Sequence, residues 1–183
     1  MKKLMIAAAI VCAAVISQGA QFKWKTAKTG GAVNAPAVGA LSSATAYLFE
    51  STAAETVLAA FAAGNDWTAG ALNTGTVGTD GKIAAGTAFT YGGDGQAATL
   101  NAIFAFQEVI GGEKYLYLST LGTGSAEAIG STTINFTEGG VSTAIKDANT
   151  YAGAGWYSAV PEPTSGLLLL LGVAGLALRR RRA

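Results

Sequence analysis

The chain has 183 residues, enough for one modest domain plus targeting segments, and half of them are hydrophobic. It contains one cysteine, Cys12, and no histidine, so Ser-His-Asp and Cys-His catalysis lack their base, Cys/His zinc sites lack their ligands, and no intrachain disulfide can form. Charge is segregated. Lys2 and Lys3 lie at one end and Arg179, Arg180, Arg181 and Arg182 at the other, which leaves six lysines in between against all eleven acids. That body is mildly acidic and argues against nucleic acid as a partner, since phosphate binding needs a clustered basic surface.

The first segment, 1–20, reads as a secretory signal peptide. Lys2 and Lys3 form its positive start, Leu4 to Ile16 its apolar run, and Ser17, Gly19 and Ala20 the small residues of a cleavage site. Cleavage after Gly19 places Ser17 at the −3 position; cleavage after Ala20 places Gln18 there, a poorer fit, and both remain open. Cys12 follows Val11 in the middle of the apolar run, which is not the setting of a lipidated cysteine. The signal implies the export machinery as a partner.

The body, 21–158, reads as mainly β: a small antiparallel sheet, folded as a sandwich or partial barrel, with one packed helix. QFKWKTA (Gln21 to Ala27) alternates, with Phe22 and Trp24 on one face and Lys23 and Lys25 on the other. ATAYLFE (Ala44 to Glu50) predicts a second strand. Thr52 to Glu55 fits a capping box, Val57, Leu58 and Phe61 fall at helical spacing, and Gly64-Asn65 supplies the stop. KIAAGTAFTY (Lys82 to Tyr91) predicts a strand. ATLNAIFAFQEVI (Ala98 to Ile110) and KYLYLST (Lys114 to Thr120) predict a central hairpin across GGEK. GSTTINFTE (Gly130 to Glu138) predicts another strand, STAIKDANTY a short helix, and GWYSA (Gly155 to Ala159) a final edge strand.

Chemistry is sparse in the body, and no catalytic residue, cofactor or metal site stands out. GGDG (Gly92 to Gly95) offers one acid, too few oxygens for calcium, and reads as a turn. Gly81-Lys82 lacks the rest of a phosphate loop. Asn135-Phe136-Thr137 matches a glycosylation acceptor but falls inside a predicted strand. A carboxylate pair for glycoside hydrolysis is not marked by any spacing. Trp24, Trp67 and Trp156 read as core or rim anchors that could also stack on sugar rings. Asn65, Asp66 and Trp67, in the loop after the helix, are the candidate binding residues.

The last segment, 159–183, is the most specific. Pro161, Glu162 and Pro163 fix an extended stretch, because each proline restricts itself and its predecessor. Gly166 to Leu178 predicts a transmembrane helix of only about 20 Å, against a hydrocarbon core of about 30 Å. Arg179 to Arg182 then predict a cytoplasmic end. These three features in order resemble the PEP-CTERM protein-sorting signal. The resemblance implies a substrate of an exosortase, a membrane-embedded cysteine transpeptidase: the tail holds the exported body at the inner membrane, is cut near the motif, and the body is released or attached at the cell surface. The body is similar to other small exported proteins bearing this tail at FKWKT, TAYLF, NDWTAG and GAGWYSAVPEP, a likeness that carries no activity. The leading expectation is a non-enzymatic protein sorted to the cell envelope or extracellular matrix. The alternative is a carbohydrate- or surface-binding module, with an extracellular polysaccharide as partner.

Overall fold

The computed structural model describes residues 19–159. The signal segment through residue 18 and the predicted tail helix lie outside these residues, and no helix among the described residues is long and apolar enough to cross a membrane. Ten strands and one α-helix follow in order: β1 (Gln21–Thr26), β2 (Ala44–Glu50), a 3₁₀ turn (Ser51–Ala53), α1 (Ala54–Ala62), β3 (Asn73–Val77), β4 (Phe89–Thr90), β5 (Ala98–Ile110), β6 (Glu113–Leu118), β7 (Gly122–Ala126), β8 (Ser131–Phe136), β9 (Ile145–Asp147) and β10 (Gly155–Ser158).

Three layers result. A small sheet, β4-β1-β8, faces one side of a larger sheet ordered β3-β2-β5-β6-β10-β9, while α1 covers part of the other side. Strand β5 explains this arrangement. Its run Ile103–Phe106 is buried residue by residue, not alternately, because both faces of the strand are covered. Phe104 and Phe106 face the small sheet and meet Trp24, Phe136, Tyr117 and Trp156, with ring centroids 4.9–6.4 Å apart. Ile103 and Ala105 face Val57, Leu58 and Phe61 of α1, together with Leu116, Leu118 and Tyr157. In β1 the expected alternation holds, with Phe22 and Trp24 fully buried and Lys23 exposed.

β5 is also long enough to serve two partners along one edge. Its C-terminal half pairs with β6 (Ile110↔Glu113 to Ala105↔Leu118) and its N-terminal half with β7 (Ala102↔Gly122 to Ala98↔Ala126). β6 and β7 are thus one path interrupted at Ser119–Leu121. Ser119 bridges the break: its N–H donates to the Phe104 carbonyl at 2.9 Å and its hydroxyl accepts the Phe104 N–H at 2.8 Å.

Several expectations need correction. The sheets are mixed, not antiparallel: β1 runs parallel to β8, and β10 parallel to β9. The predicted helix at STAIKDANTY is instead bounded around β9, because pairing with β10 satisfies its backbone and tertiary pairing outweighs local propensity. β10 is not an edge strand; it lies between β6 and β9, with Gly155, Trp156 and Tyr157 buried. Only Phe89–Thr90 of the predicted 82–91 strand pairs in a ladder, while Ile83 makes an isolated bridge to Val77. The capping box does not form. The 3₁₀ turn runs directly from β2 into α1, leaving Thr52 inside a helical turn with no side-chain cap bond. The stop at Gly64 holds. Gly64 adopts φ +72° and donates to the Phe61 carbonyl at 3.0 Å, while Asn65 N–H donates to the Ala60 carbonyl at 2.9 Å, the two bonds of a Schellman ending.

Candidate functional site

That helix ending aims the chain into the loop carrying Asn65, Asp66 and Trp67. Asp66 closes a local turn. Its Oδ1 accepts from the Thr68 N–H at 3.0 Å and from the Thr68 hydroxyl at 2.6 Å, and these bonds hold its carboxyl below the ordinary carboxylate range. The turn presses Trp67 against the sheet. Its indole packs edge-on to Tyr47 of β2 at 5.3 Å, and its Nε1–H donates to Gln107 Oε1 of β5 at 3.3 Å.

Asn65, Asp66 and Trp67 line a pocket of about 260 Å³ with Gln107, Lys114 and Ala159. Sequence reasoning missed Gln107 and Lys114. Gln107 carried one readable signal: it is a polar residue inside the otherwise apolar run of β5, flanked by buried Phe106 and Glu108. Trp24 and Trp156 are fully buried and belong to the core; their indole N–H groups donate to Asn73 Oδ1 at 3.0 Å and to the Asn34 carbonyl at 2.9 Å.

Among the described residues two carboxylates are buried, and both are engaged by the fold. Glu108 accepts from the Ser42 N–H at 3.1 Å and the Ser42 hydroxyl at 2.5 Å, pinning the loop ahead of β2. Glu138, fully buried, accepts from Tyr117 Oη at 2.6 Å, the Thr120 hydroxyl at 2.6 Å and the Thr120 N–H at 3.1 Å. It thereby ties the end of β8 to the β6–β7 break. Burial, then the adjacent Glu138 charge and hydrogen bond, push the Tyr117 hydroxyl far above the usual phenol range.

The sorting residues fall at the edges of the described region. Ala20 is fully buried, and its carbonyl accepts the Tyr91 N–H at 3.0 Å; Gln21 N–H donates to the Gly130 carbonyl at 3.0 Å. The chain leaves the sheet at Ser158, after Trp156 and Tyr157 are locked in the core. Pro161, Glu162, Pro163 and Arg179 to Arg182 lie outside the described residues.

Residues 159–182 match the PEP-CTERM protein-sorting motif. The chain therefore carries the signal of an exported protein sorted to the envelope, with an exosortase-type enzyme as its processing partner. No curated protein and no solved structure shows a significant match to the chain.

Proposed function

We propose that the chain is a non-enzymatic surface protein. It is exported through a cleaved signal peptide, held briefly at the inner membrane by its C-terminal segment, and freed or transferred to the envelope or extracellular matrix by an exosortase-type transpeptidase. The observation that carries this reading is the sorting motif at 159–182, which starts one residue after the last strand of the folded body ends. An apolar run shorter than a bilayer core, flanked by arginines held at the cytoplasmic side, suits a temporary hold. A passive role for the body is supported by its two buried carboxylates, whose oxygens already bind Ser42, Tyr117 and Thr120.

Cleavage after Gly19 is supported by Ala20, which is buried and whose carbonyl accepts the Tyr91 N–H; cleavage after Ala20 would remove that contact, while Gly19, buried as well, is lost in either case. Intact-mass and terminal-peptide mass spectrometry of the protein from its native cells tests the whole reading. The expected mature species starts at Ala20 and lacks Arg179 to Arg182. A mature pool retaining the arginine tail would overturn the processing step.

A further inference from the structure

The pocket beside Trp67 has unused binding capacity. Trp67 contributes its indole as a wall, oriented by the Asp66 turn below it and by Tyr47 and Gln107 beside it. Gln107 gives its carbonyl oxygen to Trp67, and its amide nitrogen has no partner among the described residues. The Asn65 amide and the Lys114 ammonium likewise make no hydrogen bond or ion pair there. Three donors, one carboxylate and one flat apolar surface therefore converge on a concave site. That is the usual makeup of a ligand pocket: a mostly apolar wall with a few placed polar groups.

A second groove adjoins it. This groove, about 800 Å³, is lined by Glu55, Asn149, Thr150 and Tyr151, and it shares Ala62 and Ala159 with the Trp67 pocket. Tyr151 is 42 % exposed, so its ring is open to solvent at the groove. Each of the two adjoining grooves thus has one aromatic side chain in its lining, Trp67 in one and Tyr151 in the other, together with amide, hydroxyl and carboxylate groups.

We infer that this double groove binds a polysaccharide chain, with one sugar ring against Trp67 and further rings running across Ala159 toward Tyr151. Sugar rings present apolar C–H faces that stack on aromatic rings, and their hydroxyls match amide, carboxylate and ammonium partners. Two aromatic side chains lining adjoining grooves that share Ala62 and Ala159 suit a repeating ligand better than a single small molecule. This inference does not depend on how the tail is processed.

The test is an array of purified microbial and plant polysaccharides probed with the full chain in detergent micelles. The expected result is saturable binding to at least one polysaccharide. Trp67→Ala should weaken it by about tenfold or more. Because that substitution also removes packing on Tyr47, the double variant Asn65→Ala/Lys114→Gln is the second probe: these two side chains make no hydrogen bond or ion pair among the described residues, so it should weaken binding several-fold while leaving the unfolding temperature unchanged. Tyr151→Ala should weaken binding of long chains more than of disaccharides. Absence of saturable binding to every polysaccharide, or unaltered affinity in the Trp67 and double variants, overturns the site; equal effects of Tyr151→Ala on long and short ligands overturn its extension.

Discussion

Glu138 shows how one side chain can hold three segments. Its two oxygens gather donors from Tyr117 and Thr120, and no water is needed to complete the set. Glu138→Gln replaces an acceptor-only group with one that presents its own N–H₂ to these donors. It should cost about 2–4 kcal/mol of stability in urea unfolding, more than Tyr117→Phe at about 1–2 kcal/mol, which removes one donor and leaves the Thr120 bonds. The same hydroxyl sets an alkaline limit. Its folded pKa is raised above the ordinary 10.0, so above about pH 10 the unfolded chain loses a proton that the folded protein keeps. The stability is fully present below that pH and falls as pH rises, by at most about 1.4 kcal/mol per pH unit for this group. Tyr117→Phe should flatten the alkaline limb of a plot of stability against pH; an equally steep limb would assign it elsewhere. Asp66 works in the opposite direction. Its depressed pKa means that the turn beneath Trp67 is intact at neutral pH and loosens only as pH falls through a value below the usual aspartate range. The Trp67 indole NMR resonance should hold its position as pH falls to the ordinary aspartate value of 3.8 and move only below it, and Asp66→Ala should shift it already at neutral pH.

At the scale of elements, β7 depends on what it lacks. A Cβ at Gly122 would stand 2.6 Å from Ile134 Cγ2 and Phe136 Cε1, and one at Gly124 would stand 2.8 Å from Ile134 Cγ1. The two glycines let β8 pack directly on this strand. Gly122→Ala should destabilise the protein by about 1–3 kcal/mol through overpacking, whereas Gly140→Ala, with nothing within 4 Å and no positive φ, should be nearly neutral in the same thermal melt. This strand also shows why the sequence was only partly legible. Phe22/Trp24, Tyr47–Phe49 and the β5–β6 run announce themselves by bulky residues at strand spacing, and Val57, Leu58 and Phe61 by helical spacing. GTGSA and NTGTV carry no such pattern, because their place is dictated by neighbours: β5 pairs with the first and β2 with the second. Parallel pairing of β1 with β8 joins segments 110 residues apart, Gln21 with Ser131, and local chemistry holds no trace of it. For the site, the Asn65–Trp67 loop was readable as a helix stop followed by an aromatic. Gln107 and Lys114 enter only through the register of the β5–β6 hairpin, Gln107 opposite Leu116 and Val109 opposite Lys114.

For the whole molecule, the folded body and the sorting motif should behave as separable parts. Replacing Pro161, Glu162 and Pro163 with alanines should leave the melting temperature of the body unchanged, since Tyr157 is the last core residue that is buried among the described residues, yet cause the arginine-bearing end to persist in the intact mass of the cellular protein. Loss of body stability in that variant would show that the motif is part of the fold. The placement of β10 has a mechanical consequence. Its strand direction ends at Ser158, with β6 bonded along one side and β9 along the other. A tug applied at Ala159 along that axis loads both ladders in shear, so their bonds resist together instead of peeling open singly. A cell-surface protein tethered by this end would withstand drag as a rivet does, whereas a strand on the sheet's margin would tear like a zip.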